Sequence, residues 1–319
     1  MHIETLYFLF FVFLIAVSGR WIVDSLMRVA RYLGWKEFVV AFFVMAIAAS
    51  LPNLFVGISS AFKGIPQLSF GDVAGNNLVA LTLAVALAVL FAKDREIPAE
   101  SRTVRATSFF TLAAAVFPLI LTLDGTLSRI DGIALIGLFV VYIVWLFSKK
   151  ERFVKTYDGT TPVLFAGFRV FLQDLGKIIL GVALLLLASQ GIVAFAQLFA
   201  QNLGVSIILI GVLITGFGSA LPEVYFALVS ARRGETWMIL GDLMGAVIVP
   251  TTLVLGIVAL IHPIEILDFS PFAVARVFLV AAAMFFLFFV RSHRKITPKE
   301  GIFLLSLYIA FLIVEILVK

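Results

Sequence analysis

No cysteine occurs in the 319 residues, and there are only three histidines. The first absence removes any disulfide framework and any cysteine metal site. His2, His262 and His293 fall in loops or at helix ends, which argues against a histidine metal site. Charge is also scarce: 13% of residues are Asp, Glu, Lys or Arg, against 62% hydrophobic, and mean hydropathy is +1.15. No soluble domain has that balance. The longest polar linker is Lys149 to Asp158, so no soluble domain fits anywhere. The period-two alternation of a membrane β-barrel is missing, because the apolar runs are continuous. The net charge of +5 sits in short loops between those runs and is no nucleic-acid signal. The first run, from Leu6, lacks the basic n-region and small-residue cleavage site of a signal peptide, and reads as a retained helix.

What is present is a series of apolar runs of about twenty residues, the length that crosses a bilayer. They predict an all-α membrane protein of ten transmembrane helices. Helices 1 to 5 cover about Leu6–Tyr32, Phe38–Phe62, Leu68–Phe91, Ser108–Leu123 and Ile130–Phe147. Helices 6 to 10 cover about Leu172–Leu203, Ser206–Ala231, Met238–Ile261, Phe272–Val290 and Gly301–Leu317. Helices 2 and 7 are expected to break at Pro52 and Pro222, because proline removes a backbone donor. Helix 1 carries Arg20 and Asp24, an i,i+4 pair that reads as a snorkelling pair near a helix end or as a charge tuning a pathway.

A fixed offset of 170 aligns distant places without a gap. Ser50-Leu51-Pro52-Asn53 falls on Ala220 to Glu223, and Gly71-Asp72-Val73-Ala74-Gly75 falls on Gly241 to Gly245. Leu33-Gly34 matches Leu203-Gly204, Ser60-Ala61 matches Ser230-Ala231, and Gly64 matches Gly234. The chain is therefore an internal duplication: residues 1–148 form one five-helix repeat, 149–170 a cytoplasmic linker, and 171–319 the second repeat. Of the 24 basic residues, 19 flank the loops after odd-numbered helices, against Lys63, Arg129, Arg276 and Lys319 on the other side. The positive-inside rule puts the odd loops in the cytoplasm and both termini outside, in the plasma membrane by expectation. Five spans per repeat then make the repeats inverted, with broken helices at the centre, the architecture of secondary transporters.

Glu223, Asp72 and Asp242 are the acidic groups expected deepest in the membrane, each beside a Gly or Pro. An ionisable group there faces an interior pathway by default. A cation losing its water takes hard oxygen ligands, and Asn53, Asn76, Asn77, Ser50 and Ser219 supply them on the same stretches. These eight residues are the candidate ion-binding set, and Glu223, Asp72 and Asp242 the candidate metal ligands. Two other readings stay open. The aspartates could cap the starts of helices 3 and 8, and the Asn and Ser residues could be interhelical glue. No cofactor is expected, and the oligomeric state is open.

Ser219-Ala220-Leu221-Pro222-Glu223 resembles the G-(S/T)-S-x-P-E signature of the calcium/cation antiporter superfamily, the sodium/calcium exchanger type. Gly71-Asp72-Val73-Ala74-Gly75-Asn76-Asn77 resembles its G-N-x-x-G-S-N segment. The two α-repeats of that family correspond to about 38–92 and 206–261. The resemblance implies antiport of calcium or another cation against sodium or protons, with cations as substrates, the lipid bilayer as surroundings and no nucleic acid as partner. Departures from the pattern are specific. The first-repeat glutamate is Asn53, the hydroxyl position before it is Ala49, the second G-S-N reads Gly245-Ala246-Val247, and both G-N asparagines are aspartates. Glu223 alone would hold a divalent ion poorly; three ionised carboxylates could hold one calcium and a monovalent ion. Carboxylates held together titrate as a coupled set, so a proton-coupled or monovalent exchanger without calcium selectivity is the alternative. A non-transporting sensor and an intramembrane aspartyl protease are the remaining readings. The glycine–aspartate pairs and Ala220-Leu221-Pro222 echo the protease, but its further upstream glycine is missing, since Ser69 and Ile239 stand there.

Overall fold

The computed structural model describes residues 2–32, 47, 50–99, 102–148, 164–234, 236, 239–266, 270–292 and 294–317. The expected first half of helix 2 and most of the 149–170 linker lie outside the described residues. The described chain is mostly helical: α1 (His2–Tyr32), α2 (Leu51–Phe62), α3 (Gln67–Phe91), α4 (Arg102–Leu121) and α5 (Arg129–Ser148). Then follow α6 (Leu164–Leu203), α7 (Ile207–Arg232), α8 (Ile239–Ile261), α9 (Ser270–Ser292) and α10 (Pro298–Leu317). Among the described residues seven helices are long and apolar enough to span a membrane, α3 to α9, by length and composition. α6 begins eight residues before its expected start at Leu172, so part of the expected linker is helical.

Burial sorts the helices. α3 and α8 are central, with 83% and 78% of their apolar windows buried, whereas α5 is peripheral at 22% and exposes Ile130, Ile133, Val140, Val141 and Val144. An apolar face left uncovered by protein is what lipid contact requires. One hydrophobic cluster joins α1, α6, the start of α3 and part of α2 through Phe8, Ile15, Ile22, Val56, Leu68, Leu185 and Ile192. A larger one joins α3, α7, α8, α9 and α10 through Val73, Leu78, Leu243, Val247 and Phe286.

α1 lies along α6, and the contacts run in opposite order. Phe8 meets Phe199, Phe11 meets Phe195 and lies over Gly191, Ile22 lies over Gly181, and Arg28 pairs with Asp174. The two helices, 170 residues apart in the alignment, are therefore antiparallel. Other mates repeat the same local geometry. π-helical turns occupy Ala80–Ala84 in α3 and Pro250–Val254 in α8. Gly64 and Gly234 both adopt left-handed backbone, φ +72 and +82, within two residues of a helix end, a conformation glycine takes without strain. Strand β1 (Ile97–Pro98) pairs with β4 (Lys295–Ile296), and β2 (Thr126–Leu127) with β3 (Ile264–Glu265). Lys295 Nζ donates to Glu96 at 2.6 Å beside the first pair, which raises the lysine above its usual pKa.

One expectation is corrected. Helix 7 is not broken at Pro222, because Gly216–Arg233 is a continuous α-helix through it. One missing donor opens a single carbonyl, that of Gly218, without interrupting a well-packed helix. The departure from α geometry lies upstream, in a π-helical turn at Gly211–Thr215. α2 begins at Leu51 with Pro52 in its first turn, where a missing N–H costs nothing; any break before it lies outside the described residues.

Candidate functional site

Glycines decide how the site is assembled. On α3, Gly71 and Gly75 lie one turn apart, and a methyl on either would overlap the backbone of α7, at the carbonyls of Ile208 and Val212. On α7, Gly211 and Gly216 meet Gly71 and Gly75 in return. Small residues let two membrane helices touch backbone to backbone. That contact sets Asp72 against the polar face of α7. Ser219 Oγ donates to Asp72 Oδ1 at 3.2 Å and to the Gly216 carbonyl at 3.2 Å, and Thr215, which donates to the Gly211 carbonyl at 3.0 Å, lines the same small cavity as Asp72.

All eight predicted residues are buried: Asn53, Asp72, Asn76, Asn77, Ser50, Ser219, Glu223 and Asp242. Glu223 lies close enough to both Asp242 and Asp72 for their charges to act on it, so the three carboxylates from α3, α7 and α8 share one region. Asp72 Oδ2, Glu223 Oε2 and Asp242 Oδ2 are each buried with no hydrogen-bond partner. Among the described residues, no group of three His, Asp or Glu side chains is tight enough to hold a metal ion at once. Asp72 is not a helix cap: α3 starts at Gln67, capped by Pro66 without a side-chain bond. Asp242 does sit in the first turn of α8, where the helix dipole favours a negative group.

The two asparagines of α3 are held by their amino ends. Asn76 Nδ2 donates to the Ala246 carbonyl at 3.1 Å, and Asn77 Nδ2 donates to Thr251 Oγ1 at 2.7 Å. Thr251 Oγ1 can accept because it spends its own proton on the Val247 carbonyl at 2.6 Å. With the nitrogens so placed, both Oδ1 atoms are buried and unpartnered. Asn53 has neither amide atom satisfied. Ser50 is buried directly before α2. A small cavity lies at the seam between the two hydrophobic clusters, bounded by Val12 and Ile15 of α1, Pro52 of α2, Ile192 of α6, and Asp72, Thr215 and Ser219.

Sequence reasoning missed Thr215, Thr251 and the carbonyls of Gly218 and Ala246. Thr215 stands four residues before Ser219, on the same helical face, and that spacing could have exposed it. The expected Arg20–Asp24 pair falls on the Arg20 side chain, which lies outside the described residues; Asp24 is exposed. Among the described residues of α1, Arg28 forks onto the buried Asp174 of α6, with Nε at 3.0 and 2.9 Å and Nη2 at 2.8 Å.

A bundle of membrane helices with carboxylate, amide and hydroxyl oxygens buried at its centre defines an integral membrane protein that handles cations. The family described as Sodium/calcium exchanger protein matches residues 3–148 and 174–317, once in each half. The chain belongs to that family. It is 26% identical to the uncharacterized membrane protein MJ0091 of Methanocaldococcus jannaschii, over 95% of each chain. It is 24% identical to the sodium/calcium exchanger MaX1 of Methanosarcina acetivorans, also over 95% of each. The solved structure of the sodium-calcium exchanger NCX_Mj soaked with 100 mM Na+ and 10 mM Sr2+ is 25% identical over 97% of each chain, with a TM-score of 0.67. Cation antiport is the activity this family and fold support, and it is transport, not enzyme catalysis. The protease reading is thereby set aside.

Proposed function

We propose that the chain is a secondary active cation antiporter of ten membrane helices in two inverted five-helix repeats, 1–148 and 171–319, working by alternating access. The observation that carries this is the trio Asp72, Glu223 and Asp242, buried on three helices, each with an oxygen that no protein donor satisfies. Buried charge without a partner is among the costliest features a membrane protein can hold. A dehydrated cation offsets that cost, and Asn76 and Asn77 aim two further bare oxygens inward because their nitrogens are tied. Glu223 feels the charge of both aspartates and is the central ligand; Ser219 positions Asp72, and Asn53 of α2 and Ser50 just before it supply neutral oxygens. The inverted arrangement is supported by the antiparallel run of α1 against α6. The seam between the α1–α6 cluster and the rest of the bundle is where relative movement would open the site to one side and then the other.

The transported pair is calcium or another cation against sodium or protons, with both termini outside the cell membrane. Asn53 in place of a second glutamate favours a second reading, a proton-coupled or monovalent exchanger. Calcium and sodium uptake into liposomes tests both. Glu223→Gln keeps shape and removes the charge, and binding should fall at least roughly a hundredfold by analogy with broken buried ion pairs. Asn53→Glu should tighten divalent binding and slow release. Wild-type transport by Glu223→Gln would defeat the proposal. Uptake that changes steeply between about pH 8 and 6 would select proton coupling.

A further inference from the structure

A second site stands apart from the carboxylates. At the end of the bundle where α4 begins and α5 and α9 finish, Arg102, Arg105 and Arg291 surround a cavity of ≈ 570 Å³. Its apolar wall is Phe109, Phe110 and Trp145, with Phe110 and Trp145 ring centroids 4.8 Å apart. None of the three arginine side chains has a hydrogen-bonding or ionic partner among the described residues, and Arg105 Nε is buried without one. Of the carboxylates at this end, Glu96 is engaged by Lys295 and Glu300 by Thr297, and none lines the cavity. The amino end of α4 adds its positive dipole. Three guanidinium groups lining one cavity without a carboxylate in its wall call for an anion with several oxygens, and Arg binds phosphate in a two-pronged way.

The site also fixes the source of that phosphate. Phe109 is 57% exposed on the outer face of α4, below the arginines along an apolar helix. A free phosphate has nothing to place there, whereas acyl chains do. Trp145 lies within a turn of the end of α5, the level at which tryptophan anchors a helix among lipid headgroups. This is also the end that carries the excess of basic loop residues, where anionic headgroups are bound. We infer that Arg102, Arg105 and Arg291 form a binding site for the phosphate headgroup of an anionic phospholipid, its chains lying along Phe109.

The full-length protein in phosphatidylcholine, with and without phosphatidylglycerol, provides the test, read by native mass spectrometry of retained lipid and by thermal unfolding. Wild type should retain phosphatidylglycerol over phosphatidylcholine by at least about tenfold, given the attraction of each arginine to anionic lipid. The triple variant Arg102→Gln, Arg105→Gln, Arg291→Gln should lose that preference while unfolding as wild type does in phosphatidylcholine alone. Arg102→Gln with Arg291→Gln, both at exposed positions, serves if the triple variant does not fold, and should lose most of the preference. Equal retention of both lipids by wild type, or an unchanged preference in the variants, overturns the inference. So does stabilisation by inorganic phosphate equal to that by phosphatidylglycerol, which would make the cavity a free-anion site. Because none of the residues lining the cavity belongs to the candidate ion-binding set, the result does not depend on which ions the protein exchanges.

Discussion

Asn76 donates its side-chain amide to the backbone carbonyl of Ala246, its own counterpart 170 residues later in the alignment, at 3.1 Å. Under the proposed inverted-repeat arrangement, two equivalent positions touch only where they lie beside the axis that relates the repeats. The bond also has a local cause. Pro250 stands four residues after Ala246 and has no N–H to offer that carbonyl in an α turn, so the asparagine of the opposite repeat supplies the donor. Asn76→Ala should therefore leave a buried carbonyl short of a partner. We expect a loss of about 1–3 kcal/mol, measured by unfolding in detergent; a variant as stable as wild type would show that the bond is not needed.

Gly75 and Gly241 make a matched pair of tests. A methyl at Gly75 overlaps the backbone of Val212, while nothing lies within 4 Å of a methyl at Gly241. Gly75→Ala should force α3 from α7, costing on the order of 1–3 kcal/mol or more, and should weaken the Ser219–Asp72 contact with it. Gly241→Ala should be neutral or mildly stabilising. Equal melting temperatures for the two variants would contradict the close crossing.

The Arg28–Asp174 fork ties α1 to α6. The Asp174 side chain is 2% exposed and that of Arg28 41%, so the pair is neither a surface bridge nor a fully buried one. A double-mutant cycle with Arg28→Ala and Asp174→Ala should return a coupling energy of about 0.5–3 kcal/mol. The single loss at Arg28 should be the more damaging where it leaves the buried carboxylate with only Lys177, at 3.8 Å. A coupling energy of zero would make the pair incidental.

Because the chain has no cysteine, single cysteines report topology cleanly. Ser148→Cys at the end of α5 and Thr126→Cys before its start should react from opposite sides of the membrane. Labelling of both from one side would remove the inverted-repeat argument.

Much of this was legible before any coordinates. The isolation of Glu223, Asp72 and Asp242 in apolar runs anticipated buried carboxylates, and the aligned Gly64 and Gly234 turn out to share a left-handed backbone. Pro222 misled, because a proline announces a missing hydrogen bond but not whether packing will hold the helix together around it. Asp174 was passed over because it lies near the polar linker, where a carboxylate is ordinarily solvated; only its arginine, 146 residues away, makes it structural.

The sequence by itself determined that this is a membrane protein, that its two halves align at a fixed offset, and which polar residues are too costly to lie idle in lipid. Those conclusions follow from hydropathy, a fixed offset and the cost of burying charge, all of which are local properties of the chain. Tertiary structure alone decided the partners: Asp72 with Ser219, Asn76 with Ala246, Asn77 with Thr251, and Arg28 with Asp174. Those pairings depend on how closely helices far apart in sequence approach. Glycines 71 and 75 permit the approach of α3 to α7, and the geometry of the crossing then selects which side chains meet.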